Sequence, residues 1–142
     1  MNKSALNEIN KGCKMAMESI DLILKKDLGE NKEFVDELNH EYNEYEKIST
    51  KVQNLFDAYS SDEPQETNMV DKMMLWSGIE MKTIMDESIS KLADIMMNGV
   101  NMGIIEGIKI KNNKKLDKMV IDIIDEYIEM QQNNYNNLKS YL

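Results

Sequence analysis

Proline occurs once in this chain, at Pro64, and on both sides of it apolar residues recur at spacings of three and four. That period places side chains on one face of an α-helix, and the absence of further proline lets each helix run long. The pattern predicts four helices in a single domain spanning residues 1–142. They cover about 4–27, 31–60, 68–111 and 114–141. The first carries Leu6, Ile9, Cys13, Ala16, Met17, Ile20, Ile23 and Leu24, and it stops at Leu28-Gly29. The second carries Phe34, Val35, Leu38, Tyr42, Tyr45, Ile48, Val52, Leu55, Phe56 and Tyr59. The third begins with Asn68 as cap and runs along Val70, Met73, Met74, Met81, Ile84, Met85, Leu92, Ile95 and Met96. The fourth carries Leu116, Met119, Val120, Ile123, Ile124, Tyr127, Met130, Leu138 and Tyr141. No strand-period alternation of useful length competes with this reading.

Four amphipathic helices predict an all-α four-helix bundle, ferritin-like in appearance. The polar linker 61–67 reaches at most ~24 Å when extended, and a 30-residue helix is ~45 Å long. Helices two and three are therefore expected to be antiparallel neighbours, in up-down-up-down order.

Composition excludes several function classes. The chain has 142 residues and a formal charge of -9, and every basic side chain other than His40 is a lysine. An acidic chain without arginine lacks the positive footprint of a nucleic-acid or anionic-membrane binder. No apolar run approaches the ~20 residues that span a bilayer, and the N-terminus lacks the apolar core of a signal peptide. One cysteine, Cys13, fits a reducing cytoplasm.

Glu37-Leu38-Asn39-His40 is a Glu-x-x-His sequence on a helix, the spacing by which di-iron bundles place two ligands on one face. Glu18, Glu80, Glu87, Glu126 and Glu129 are the carboxylates that could complete such a set. At ~100° per residue, however, His40 points roughly 130° away from the apolar centre of its helix. Glu41 instead falls near that centre, and Glu106 falls on the inner face if helix three is unbroken. Glu37, His40, Glu41 and Glu106 are thus the candidate ligands for a divalent metal such as Fe, Zn or Mn. The competing reading of Glu41 is a hydrogen-bonded polar layer satisfied by Tyr42, Tyr45, Ser77 or Ser88.

The 13 methionines lie among Ile and Leu, where they read as core packing rather than as a copper site. Gly99, Gly103 and Gly107, four apart, predict either close docking of helix four or a second subunit, or a break near Gly99. Trp76 and Ile79 lie off the main stripe of helix three, which predicts an interface. The Gln131–Asn137 run reads as a solvated face. Cys13 sits on the core side and reads as a structural thiol, and no nucleophile set or phosphate loop is present.

The stretch from Trp76 through Asp86, followed by Met96 through Ile105, resembles a group of small uncharacterised helical-bundle proteins from Firmicutes. That group is similar in outline to the ferritin-like superfamily. The resemblance implies a four-helix bundle and no particular activity. The sequence thus points to a non-enzymatic bundle acting through protein contacts as a homodimer or larger homo-oligomer, with no cofactor expected. The alternatives are a ferritin-like metal-binding protein and a carrier with a small-ligand pocket between helices two and three.

Overall fold

In the computed structural model, residues 1–26, 28, 31–59 and 88–142 are described. Four α-helices carry them: α1 (Asn2–Leu24), α2 (Lys32–Phe56), α3 (Ile89–Asn113) and α4 (Lys118–Leu138), closed by a 3-10 turn at Lys139–Tyr141. No strand occurs among the described residues. The described residues form an all-α four-helix bundle, the fold class that the periodicity predicts. Among the described residues no helix is long and apolar enough to cross a membrane.

Local chemistry sets the helix starts. The Asn31 side chain accepts the Phe34 N–H at 3.1 Å and caps α2, and Glu33 suits its first turn. Ser88 is extended (ψ 163°), and its hydroxyl accepts the Lys91 N–H at 3.3 Å, so α3 starts afresh at Ile89. The helix expected over 68–111 is therefore not one continuous element through residue 88. Asn68 and the linker before it lie outside the described residues. From Ile89 the helix passes Gly99, Gly103 and Gly107 without a break and ends at Asn113. Residues 114–117 form a short link rather than the first turn of α4, with Lys114 in extended backbone.

Side-chain pairs fix the directions. Ser49 donates to Asn10 at 2.6 Å, and the Lys3 ammonium lies 4.8 Å from the Phe56 ring, so α1 and α2 are antiparallel. Lys51 meets Glu126 at 2.5 Å, and Phe34 packs edge-on against Tyr141, so α2 and α4 are antiparallel. Lys111 pairs with Asp125 at 2.7 Å across α3 and α4, close to where one ends and the other begins. Lys114 reaches Ser4 and the Asp117 N–H reaches Asn2, which places the starts of α1 and α4 at one end. The described helices therefore run up, down, down, up, with α2 and α3 parallel. The reach argument for antiparallel order acted on seven residues leading to Asn68. With the next described helix starting at Ile89, that constraint falls away. The described helices α2 and α3 stand at opposite corners, each packed on α1 and α4.

The core is continuous along the bundle. Leu6, Ile9, Ile20, Ile23, Phe34, Leu38, Ile48, Val52, Leu92, Val120, Ile124 and Leu138 are buried in it, each contributing about 1.5–3 kcal/mol of burial. Met96, Met97 and Met130 fill it as packing residues.

Glycine lets α3 approach α4. A Cβ on Gly107 would lie 2.9 Å from Ile128 Cγ1, and one on Gly103 would meet the Gln131 amide, 2.8 Å from its Cδ. Gly103→Ala is expected to lower stability by about 1–2 kcal/mol in urea unfolding. Overpacking against the buried Gln131 outweighs the ~1 kcal/mol that alanine gains in helix propensity. An unchanged or raised midpoint would show that the two helices can part at no cost.

Candidate functional site

The run Phe34, Leu38, Glu41, Tyr45, Ile48, Val52 alternates steps of four and three along the inner face of α2. Five of its members are hydrophobic or aromatic and one is an acid. Glu41 is 0% exposed. Both of its carboxyl oxygens, and Oε2 of Glu37 one turn earlier, are buried without a hydrogen-bond partner. Burial pushes the Glu41 carboxyl up to about 10, and a proton-sharing contact with Glu37 and that acid's charge add to the shift. The contact is looser than a well-formed hydrogen bond, because neither Glu41 oxygen meets full bonding geometry. At neutral pH Glu41 therefore carries its proton.

A polar cluster continues from Glu41 toward the middle of the bundle. Tyr45 of α2 and Tyr127 of α4 are buried, with Cys13 of α1 near both phenols. Burial pushes the Tyr45 hydroxyl well up, the Glu41 charge adds to this, and a hydrogen bond with Asn134 works the other way. Tyr127 is raised by burial first and then by Cys13 and Tyr45, with Gln131 opposing. Burial pushes the Cys13 thiol up to about 12, so it is a packed thiol and not a nucleophile. A Cβ on Gly12 would collide with the Tyr127 hydroxyl, so that glycine makes room for the phenol.

Gln131 and Asn134 are each only 2% exposed. They are the inward members of a run expected to be a solvated face. Asn134 donates to the Met130 sulfur at 3.1 Å, and Gln131 Nε2 is buried without a partner. The step pattern Val120, Ile124, Tyr127, Gln131, Asn134, Leu138 continues the apolar stripe of α4 through these two amides. That continuation was the signal in the sequence. The amide composition of the segment hid it.

The expected metal ligands separate in space. Glu41 is buried and Glu37 is half-buried beside it, whereas His40 is exposed. Glu106 is also exposed and pairs with Lys109 at 3.6 Å, contrary to its expected inward position. The inner edge of α3 is Val100, Gly107 and Ile110, which turns the residue before Gly107 outward. Glu18, Glu126 and Glu129 are exposed, and Glu126 pairs with Lys51. Among the described residues no three of His, Cys, Asp or Glu come together as a metal cluster. The polar layer does not satisfy Glu41 either: Tyr45 pairs with Asn134, and Ser88 caps α3. Ser77, Glu80, Glu87, Trp76 and Ile79 lie outside the described residues. Gly99 is half-buried, and Gly103 and Gly107 face α4.

Comparison with protein families, with curated proteins and with solved structures finds no match to this chain, so neither the Firmicutes group nor the ferritin-like superfamily gains support from it.

Proposed function

We propose that this protein is a non-catalytic helical bundle that works through protein contacts, pairing with a second copy through the outer face of α3. One observation carries the reading. Met102, Ile105 and Ile108 are 52%, 44% and 41% exposed and recur every three residues on that face. Asn98, Asn101 and Asn112 are exposed on the same helix, and its nearest charges, Glu106 and Lys109, pair with each other. The stripe thus carries no uncompensated charge, while the chain as a whole is strongly acidic. A copy turned end for end sets Met102 against Ile108 across a two-fold axis at Ile105, the self-complementary arrangement of an isologous dimer.

A strictly uncharged, self-matching stripe suits a second copy better than a charged partner. Light scattering behind size exclusion is expected to give a dimer at micromolar concentration. Ile105→Glu is expected to weaken it by about 30-fold or more, the ~2 kcal/mol of an interface hot spot. A wild-type chain that stays monomeric at high concentration refutes the reading.

The ferritin-like outline belongs to the same proposal. Parallel α2 and α3 suit a bundle with one long crossover connection. The lone cysteine suits a cytoplasmic setting.

A further inference from the structure

We propose that Glu37 and Glu41 form a binding site for one hard divalent cation of the magnesium or manganese class. The first half of α2 is rich in acid, with Glu33, Asp36, Glu37 and Glu41 within nine residues. Such a cluster alone signifies little. What distinguishes it is Glu41, a fully buried side chain that faces Glu37 and has no hydrogen-bond partner on either oxygen. With Glu37 Oε2, three buried carboxyl oxygens belong to two side chains one turn apart that touch each other. No lysine pairs with either acid among the described ion pairs. Tyr141, in the C-terminal turn, lies within the field of the same four acids and edges Phe34.

Once Glu41 gives up its proton the pair offers acceptors alone, which selects a cation, and the atom types select which one. Oxygen ligands suit hard ions, and magnesium-type ions are held through one or two carboxylates while keeping several waters. Two carboxylates are therefore enough for this class, although they are too few for a cluster of three or more protein ligands. A soft or borderline ion would draw on imidazole or thiolate. His40 is on the solvent side of α2, and Cys13 lies on α1 beside Tyr45. The site is thus not the Glu-x-x-His pair, and it uses a single helix. Half-buried Glu37 provides the approach from solvent. On entry of the ion, the Glu41 carboxyl releases its proton to water and coordinates as a carboxylate.

The site does not involve the outer face of α3, so it stands or falls separately from dimer formation. The test uses the full chain, freed of metal by chelator and exchanged into chelator-free buffer. Manganese(II) is titrated and free ion is read by electron paramagnetic resonance. One saturable Mn(II) per chain is expected, displaced by excess Mg(II). Binding is expected to weaken at least tenfold in both Glu41→Gln and Glu37→Gln and to be unchanged in Asp122→Asn, an exposed acid paired with Lys118. Circular dichroism confirms that each variant is folded. Absence of saturable binding to the folded wild-type chain overturns the proposal, and so does equal affinity in Glu41→Gln.

Discussion

Glu41→Gln is expected to stabilise the metal-free protein at pH 7 by on the order of 2–3 kcal/mol. Few core substitutions toward a polar residue run in this direction. The ordinary value for this carboxyl is 4.5, and burial raises it to about 10 in the fold. The unfolded chain ionises first, so the folded state loses ground as the pH climbs between those two values. The contribution of Glu41 to stability is complete below about 4.5 and gone above about 10. At neutral pH much of that loss has already accrued. Glutamine keeps the size, cannot ionise, and can donate an N–H toward Glu37.

Urea unfolding of both proteins in the presence of chelator, at pH 4, 7 and 9, measures the difference. The gap between variant and wild type should be near zero at pH 4 and widen steadily to pH 9. Taking the difference removes the titration of the lysines and tyrosines that the two proteins share. A variant less stable than wild type at pH 7 would mean that Glu41 is charged and paired in the fold. Retention of so costly a group in a core position fits a binding role, since ionisable residues in unfavourable surroundings concentrate at functional sites.

Phe34→Ala is expected to cost about 3–5 kcal/mol, the largest loss from any single truncation in α2. Phe34 is completely buried, in the first turn of the helix, and its ring meets Tyr141 at a centroid distance of 5.1 Å with an interplanar angle of 60°. Removing it leaves a large cavity and abolishes an edge-to-face pair worth about 0.5–1.5 kcal/mol beyond its area. The contact joins the start of α2 to the 3-10 turn at Lys139–Tyr141, so these two segments should loosen together. Thermal and urea unfolding by circular dichroism give the magnitude. A double-mutant cycle with Tyr141→Leu isolates the aromatic part. A loss below about 1 kcal/mol would mean that the core collapses around the gap without consequence. Because Glu37 and Glu41 follow within two turns, manganese affinity should fall in the same variant.

Much of the architecture is legible along each helix taken singly. The step of three and four in α2 places Glu41 inward and His40 outward, and both positions agree with the structure. The same step identifies Cys13 as a core thiol, and the glycines of α3 as an edge for close docking, which Gly103 and Gly107 provide against α4. These properties depend on helical phase, which a sequence carries locally.

Three features escaped that reading, and each depends on something outside the helix concerned. Glu106 turns outward because α3 rolls its glycine edge toward α4, and roll is set by the neighbour's shape. Asn134 turns inward where Tyr45 of α2 offers it a partner, and Gln131 where the glycine edge of α3 at Gly103 leaves room for its amide. The parallel course of α2 and α3 follows from contacts such as Lys51–Glu126 and Lys114–Ser4, which join residues far apart in the chain. By itself the sequence determined an all-α bundle with a greasy inner face on each helix and one acid set into it, because side-chain period acts residue by residue. Only the tertiary structure decided helix direction, helix roll and the lack of partners for that acid, because these are relations between surfaces that no single helix contains.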